Sequence, residues 1–140
     1  MNRSSTGLTY VCIKRAYDVV FSIIGLALLS PLMVIIGILI KCESKGPIIY
    51  KGIRSGLNST DFEIYKFRTM MNNAESFGGY VTAENDTRVT RVGKVLRKYK
   101  LDELPQLLNV LTGTMSIVGP RPEVPLYTRR YTIQEQIILT

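Results

Sequence analysis

The stretch "VVFSIIGLALLSPLMVIIGILI", residues 19–40, contains no charged side chain and decides the class of fold. A helix needs roughly 20 consecutive apolar residues to cross the hydrocarbon core of a bilayer, so this stretch is long enough for one crossing. Pro31 interrupts it near its middle, and prolines are tolerated in membrane helices. The composition therefore predicts a membrane segment, and its path depends on the residues at either end.

Basic residues flank the apolar stretch on both sides, with Lys14 and Arg15 before it and Lys41 and Lys45 after it. Basic residues next to a membrane segment favour the cytoplasmic side, so this pattern fits best if both ends of the segment face the cytoplasm. A secretory signal peptide fits poorly, because Lys41 stands where a small-residue cleavage site would be expected. A straight single crossing remains the alternative.

Ser30 and Pro31 are the predicted bend. Pro31 lacks an N–H group and clashes with the carbonyl one turn earlier, and the Ser30 hydroxyl can bond a carbonyl in the preceding turn. Each arm of about a dozen residues reaches roughly 18 Å, which is little more than half of a hydrocarbon core about 30 Å thick. We therefore predict a re-entrant helix hairpin that enters and leaves on the same side.

The composition limits the chemistry of the remainder. A chain of 140 residues fits one domain, which we place over residues 1–140 with residues 41–140 outside the membrane. The chain has no histidine, which excludes Ser-His and Cys-His nucleophile systems and the usual zinc ligands. Cys12 and Cys42 lack metal-site spacing and are predicted to be reduced thiols. The formal charge of +7 favours an anionic partner, which the charge alone does not identify as lipid, nucleic acid or phosphorylated substrate.

Residues 46–54 and 61–70 are two β-prone runs separated by turn formers, and they predict a β-hairpin. Alternation in the second run places Lys66 and Arg68 on the same face, where they are candidate substrate contacts. Taken alone, the sequence of this run favours an edge strand whose basic side chains are exposed to solvent.

Residues 86–100 predict a basic amphipathic helix with Thr90 as its N-cap. Its predicted apolar stripe consists of Val92, Val95, Leu96 and Tyr99. Such a helix can lie on an anionic membrane surface or pack on a core as an ordinary surface helix, and the pattern fits both. Residues 71–86, which are rich in Asn, Gly, Ser and acids, predict a mobile loop.

Asp102 and Glu103 stand side by side just before Pro105. Proline is tolerated in the first turn of a helix, so we predict a helix with Asp102 as N-cap that ends at Thr112-Gly113. Free N–H groups at such a helix start stabilise a carboxylate and attract phosphate. Mg²⁺ takes one or two carboxylates plus phosphate oxygens and would relieve the repulsion between the acids. The alternative is a charged helix start with capping as its whole role.

Two arginines complete the set of candidate residues. Arg97 precedes the acids and can offer a planar donor to phosphate, and Arg121 is held between Pro120 and Pro122 at low entropic cost. With the membrane segment and the acid pair, these arginines indicate phosphate chemistry at a membrane surface.

From about residue 14 to residue 123 the sequence resembles the bacterial sugar transferases, which are monotopic polyprenyl-phosphate phosphoglycosyl transferases. The resemblance rests on the following stretches in order: "KRAYD" at 14–18, "LLSPL" at 28–32, "YKFRTM" at 65–70, "TRVGKVLRK" at 90–98, "LDELPQLLNVLTGTMS" at 101–116 and "VGPRPE" at 118–123. It implies a mostly helical α+β fold with a re-entrant membrane helix hairpin, amphipathic interfacial helices and a small β-hairpin.

The resemblance also implies an activity: transfer of a sugar phosphate from a nucleotide diphosphate sugar to polyprenyl (undecaprenyl) phosphate at the cytoplasmic face of the bacterial inner membrane. Asp102 would be the nucleophile that forms a covalent phosphosugar, and Glu103 would bind Mg²⁺. Arg97, Arg121 and, more weakly, Lys66 would bind phosphate. Membrane lipids are then partners, and nucleic acid is not.

Two other interpretations stay open. Members of this family continue past the position of Thr140, so the resemblance predicts that a C-terminal region is missing and that the chain is an inactive fragment or an incomplete enzyme. The other interpretation is a membrane-anchored basic interaction module that binds anionic lipid or nucleic acid through residues 88–100.

Overall fold

The computed structural model describes residues 3–56, 60–72, 74 and 86–128. Its elements, in chain order, are α1 (Arg3–Glu43), β1 (Ile49–Ser55), β2 (Asp61–Phe67), α2 (Arg91–Lys98), a 3-10 turn (Leu101–Glu103), α3 (Gln106–Thr112) and α4 (Pro125–Thr128). The fold is mostly helical with one small antiparallel sheet, so the predicted α+β class is confirmed. Most of the predicted loop at 71–86 lies outside the described residues.

Helix α1 begins well before the uncharged stretch of residues 19–40 and ends shortly after it, at Glu43. Most of its large apolar side chains are exposed, and few of its residues, among them Ile36 and Ile40, are buried against other parts of the protein. Within the described residues, α1 is the one helix long and apolar enough to cross a membrane, judged by length and composition. An apolar surface of this extent is typical of a segment that meets lipid.

The backbone of α1 is helical through Ser30 and Pro31 without a break. A proline inside a helix removes one i→i−4 hydrogen bond. It can kink the helix axis without ending the helix. The predicted re-entrant bend at Ser30-Pro31 therefore stays a prediction, and the helical arms on which it depends are observed.

The predicted β-hairpin is confirmed by the pairing of β1 with β2. Strand β2 ends at Phe67, one residue before Arg68. Ile64 and Phe67 are the buried apolar side chains of β2, whereas Lys66 is half-buried. Strict alternation of β2 therefore holds only over part of the predicted run.

The chain forms two compact units that each combine separate segments. The first contains residues 1–28, 51–64 and 106–140, and the second contains residues 29–50 and 65–105. The predicted single domain over residues 1–140 stays a prediction.

The second unit has an apolar core formed by Ile36, Ile40, Phe67 and Leu96. Helix α1, strand β2 and helix α2 each contribute to it. The Thr90 side chain accepts a hydrogen bond from Gly93 N at 2.9 Å, so the predicted N-cap of α2 is confirmed. The predicted apolar stripe is only half right, because Leu96 and Val92 face the core, whereas Val95 and Tyr99 are exposed.

The first unit is held together by polar contacts between α1 and the chain around α3. Arg15 donates hydrogen bonds to the carbonyl oxygens of Val110 and Leu111 at 2.6 and 2.7 Å, which satisfies the C-terminal end of α3. Helix α3 ends at Thr112 and is followed by Gly113 with φ of +89°, in agreement with the predicted end.

Candidate active site

Asp102 lies in the 3-10 turn rather than at the start of an α-helix. Pro105 has no N–H group and cannot donate to the Leu101 carbonyl, so the chain forms i→i−3 bonds instead. Leu104 N donates to Leu101 O at 3.3 Å, and α3 begins only after Pro105. The predicted N-cap role of Asp102 is therefore wrong, although the acid pair does sit in a tight turn.

The Asp102 carboxyl group is buried with an incomplete set of partners. Its residue is 8% exposed, and within the described residues its Oδ1 atom has no hydrogen-bond partner. Burial raises the pKa of Asp102 because it penalises the charged form, and the neighbouring Glu103 charge acts in the same sense. Lys66 and Arg97 act in the opposite sense and lower that pKa. The site thus holds a carboxyl group of raised basicity beside two cations.

Glu103 forms an ion pair with Lys66 across a distance of 2.8 Å between Oε1 and Nζ. Both side chains are partly buried, being 30% and 20% exposed. Lys66 comes from β2 and Glu103 from the 3-10 turn, so the pair joins two elements of the second unit. The structure therefore brings together three of the predicted site residues, because the charges of both Lys66 and Glu103 act on the carboxyl group of Asp102.

Arg97 is positioned by Thr69, a residue that the sequence analysis did not single out. Its Nε atom donates to Thr69 Oγ1 at 2.9 Å, and the Thr69 carbonyl accepts from Thr90 N at 3.0 Å. Thr69 is buried and lies just after β2. A hydrogen bond at Nε orients the guanidinium, and the terminal nitrogens of a guanidinium held in this way could bind phosphate. No local pattern could have revealed this contact between residues far apart in sequence.

Gly93 permits the close approach of α2 to Thr69. A Cβ atom at Gly93 would collide with the Thr69 carbonyl oxygen. The glycine therefore serves packing, and any larger residue would displace the helix that presents Arg97. The sequence signal for this role was the single glycine inside an otherwise helical run.

Arg68 lies apart from its predicted partner Lys66. Its terminal nitrogens donate to the carbonyl oxygens of Ser44 and Lys45 at 2.8 and 2.9 Å, and also to the Ser44 hydroxyl. Arg68 is buried and stabilises the chain that follows α1. Its assignment to substrate binding stays a prediction, and the contacts in the structure are those of a side chain that supports the fold.

Arg121 belongs to the first unit, and its side chain is exposed between Pro120 and Pro122. Ser30 and Pro31 belong to the second unit, where both residues are exposed on α1. The roles of Arg121 in phosphate binding and of the Ser30-Pro31 pair in bending the helix stay predictions.

The donor atoms of the 3-10 turn fit a hard divalent cation. Within the described residues, no group of three or more His, Cys, Asp or Glu side chains is placed to hold a metal ion. Asp102 and Glu103 are adjacent, and one Asp102 oxygen is buried without a partner in the part of the chain that the structure describes. Mg²⁺ commonly takes one or two carboxylates and completes its shell with phosphate oxygens and water, so these two residues could hold it.

Comparison with known proteins identifies the family of this chain. The family described as bacterial sugar transferase matches residues 9–138. A relative from Aeromonas hydrophila, "UDP-N-acetylgalactosamine-undecaprenyl-phosphate N-acetylgalactosaminephosphotransferase", is 45% identical over 91% of this chain and 33% of its own length. The "Exopolysaccharide production protein PSS" of Rhizobium leguminosarum bv. phaseoli is 46% identical over 78% of this chain and 55% of its own length.

A third relative has a different sugar in its name. The "UDP-glucose:undecaprenyl-phosphate glucose-1-phosphate transferase" of Escherichia coli (strain K12) is 42% identical over 85% of this chain and 26% of its own length. The chain thus spans between about a quarter and about half of these three relatives. Because the family match covers most of the sequence, the chain belongs to the bacterial sugar transferase family.

Proposed function

We propose that this protein transfers a sugar-1-phosphate from a nucleotide diphosphate sugar to undecaprenyl phosphate at the cytoplasmic face of the bacterial inner membrane. The relatives named above support the reaction class, since their names contain a sugar-phosphate transfer and this lipid acceptor. The observation that carries the proposal is the buried Asp102 carboxyl group: one of its oxygens has no partner within the described residues, and the charges of Lys66 and Arg97 act on it.

In the first step, a carboxylate oxygen of Asp102 attacks the sugar-bearing phosphorus of the donor. A phosphorus–oxygen bond forms, the bond to the nucleoside monophosphate breaks, and its electron pair leaves with that product. Burial supports the role of Asp102, because a carboxylate of raised pKa is a stronger nucleophile than a solvated one. Arg97, oriented by Thr69, is placed to bind the non-bridging phosphate oxygens.

In the second step, a phosphate oxygen of the lipid attacks the same phosphorus, and the Asp102 carboxylate is released. The product is a lipid diphosphate sugar. Dividing the transfer into two displacements means that the two anionic substrates need not occupy the site together. Lys66 and Arg97 offset part of the charge that each substrate brings.

Glu103 and Asp102 are the residues that would hold Mg²⁺. When bound, Mg²⁺ would neutralise phosphate charge and polarise the phosphorus–oxygen bond that breaks. Because Glu103 is paired with Lys66 at 2.8 Å, Lys66 also fixes the orientation of the carboxylate that would meet the cation.

The test is product formation by purified protein in nanodiscs. The protein is incubated with Mg²⁺, undecaprenyl phosphate and UDP-N-acetylgalactosamine or UDP-glucose, the donors suggested by the names of the relatives. We expect release of UMP that depends on the lipid acceptor with at least one donor of a wider panel. Absence of nucleoside monophosphate with every donor would contradict the proposal.

A basic interaction module is the second candidate, because Arg91, Lys94 and Lys98 all lie on α2 and are all exposed. Charge reversal at Lys94 and Lys98 separates the two functions. If the protein is an interaction module, the double variant should lose function and Asp102→Asn should keep it. If the protein is a transferase, Asp102→Asn should lose more activity than the double variant.

A further inference from the structure

An apolar pair, Ile117 and Val118, lies exposed in the first unit, shortly before Arg121. Ile117 is 50% exposed and Val118 is 74% exposed, which makes Val118 one of the most exposed large apolar side chains in the described chain. The next residue, Gly119, has open space where a side chain would project. Two adjacent apolar side chains on an open turn are costly in water unless they meet an apolar partner.

A hydrogen bond fixes this pair beside α1. Ile117 N donates to Asp18 Oδ1 at 3.1 Å, and Asp18 is buried. Asp18 is the last charged residue before the uncharged stretch of residues 19–40. The backbone of Ile117 therefore lies beside the point on α1 where charged residues give way to uncharged ones.

The residues around Asp18 on α1 have the composition of a bilayer boundary. Tyr17 and Phe21 are exposed and their rings stack with centroids 6.1 Å apart. Aromatic side chains concentrate at the membrane–water interface, and basic residues such as Lys14 and Arg15 lie on its polar side. If α1 enters the membrane after Asp18, Ile117 and Val118 stand at the depth of the headgroups.

We propose that the Ile117–Val118 pair inserts into the boundary between headgroups and acyl chains of the bilayer. This inference rests on the membrane location in the proposed function. Arg121 follows three residues after Val118 with an exposed side chain, so insertion of the pair would hold its guanidinium at the level of lipid phosphate groups. Asp18 acts as a positioning residue in this account, through the backbone of Ile117.

Tryptophan quenching by brominated lipid tests the insertion directly. The protein contains no tryptophan, so Val118→Trp introduces a single fluorophore. In vesicles of phosphatidylcholine brominated near the carbonyl end of the acyl chain, we expect at least twofold quenching of this fluorophore. Bromine placed deep in the chain should quench it less.

Matched positions make the result specific. Phe21→Trp, inside the apolar stretch, serves as the positive control and should be quenched by both lipids. Ile53 has the same 50% exposure as Ile117 but precedes Arg54 and lies two residues after Lys51, so the fluorophore of Ile53→Trp should remain accessible to aqueous iodide. Quenching by brominated lipid that is no stronger in Val118→Trp than in Ile53→Trp would overturn the proposal.

Variants of Asp18 test the positioning role. Asp18→Asn keeps an oxygen that can accept from Ile117 N, whereas Asp18→Ala does not. In the Val118→Trp background, we expect the alanine variant to lose most of the shallow quenching and the asparagine variant to keep it. Equal quenching in the alanine and asparagine variants would show that Asp18 does not position Ile117. All these measurements are made without substrate, so they are independent of whether the proposed transferase activity is found.

Discussion

The second unit contains two acidic turns with opposite surroundings, one at Asp86 and one at Asp102. Asp86 accepts several hydrogen bonds from Arg88, including one at 2.6 Å from a terminal nitrogen, and these lower its pKa to about 2. Arg88 in turn donates to the Ala74 carbonyl at 3.0 Å. Asp102 has a buried oxygen without a partner in the described residues and a raised pKa.

The contrast is between a carboxylate with a structural role and the one that we propose as the nucleophile. The Asp86 carboxylate has its charge and lone pairs satisfied by one arginine, which stabilises the turn and leaves little nucleophilic character. The Asp102 carboxylate is buried, and one of its oxygens has no hydrogen-bond partner within the described residues, so its basicity is available for chemistry. Proteins accept such a cost in stability where a site requires it.

The largest expected effect is on turnover in the two Asp→Asn variants. Asp102→Asn removes the proposed nucleophile and should reduce the rate roughly 10⁴-fold or more, as loss of a covalent nucleophile does in other enzymes. Asp86→Asn should leave the rate within about threefold, because the carboxylate lies in a saturated ion pair. Release of nucleoside monophosphate measures both. Similar losses in the two variants would remove the distinction between the turns.

Glu103→Gln should have the next largest effect. It removes a candidate Mg²⁺ ligand and the partner of Lys66, so we expect a rate loss of about 100-fold, since a metal ion supplies several kcal/mol of charge stabilisation. The concentration of Mg²⁺ needed for half-maximal activity should also rise. Lys66→Met breaks the same ion pair but keeps the Glu103 carboxylate, so its Mg²⁺ requirement should rise less than that of Glu103→Gln. An unchanged Mg²⁺ requirement in Glu103→Gln would count against metal binding there.

Thr69→Val should have a moderate effect that Thr69→Ser restores. Valine keeps the shape but removes the hydroxyl that accepts from Arg97, and one hydrogen bond to a charged group is worth roughly 1.5 to 3 kcal/mol. We expect a roughly 10-fold or greater rise in KM for the nucleotide sugar, by the same energy scale. A serine variant as impaired as the valine variant would indicate that packing, rather than the hydroxyl, matters at this position.

The smallest effects are on stability, and they should have opposite signs. Burial raises the pKa of Asp102, so its ionisation destabilises the fold, and this cost is absent below the ordinary pKa of about 4 and complete above the raised value. Asp102→Asn should therefore raise the thermal midpoint at pH 7 in the absence of Mg²⁺ and substrate. The gain should disappear in acid.

The corresponding change at Asp86 should lower the thermal midpoint at pH 7. The pKa of Asp86 is depressed to about 2, so its stabilisation is present above the ordinary pKa of about 4 and is lost as the pH falls toward 2. In Asp86→Asn, the decrease in stability that the wild type shows between about pH 4 and about pH 2 should be absent. Midpoints of the two variants that shift in the same direction at pH 7 would contradict the contrast between the turns.

Local rules were sufficient for part of this fold. The β-hairpin, the Thr90 N-cap and the end of α3 at Gly113 each follow from interactions between residues close in sequence, and all three are confirmed. The order of motifs was sufficient for the family. The acid pair was identified because adjacent carboxylates before a proline are unusual in a basic chain.

The remaining features depend on contacts between distant segments. The 3-10 turn at Asp102 packs against α2, and the hydrogen bond from Arg97 to Thr69 joins residues 28 positions apart. Arg68 was predicted beside Lys66, but β2 ends before Arg68. The Arg68 guanidinium instead donates to backbone carbonyl oxygens that follow α1. Periodicity within one strand cannot show which backbone carbonyls another segment leaves unsatisfied.

The central claim is that the buried Asp102 carboxylate becomes covalently bound to the sugar phosphate, and mass spectrometry of the protein and its peptides tests it most directly. Protein in detergent is mixed with Mg²⁺ and the active nucleotide sugar without lipid acceptor, quenched in acid and digested. We predict one added sugar phosphate on the peptide that contains Asp102 in the wild type and in Asp86→Asn, and none in Asp102→Asn. A lipid-linked product formed at full rate with no adduct, or an adduct that persists in Asp102→Asn, would contradict the account.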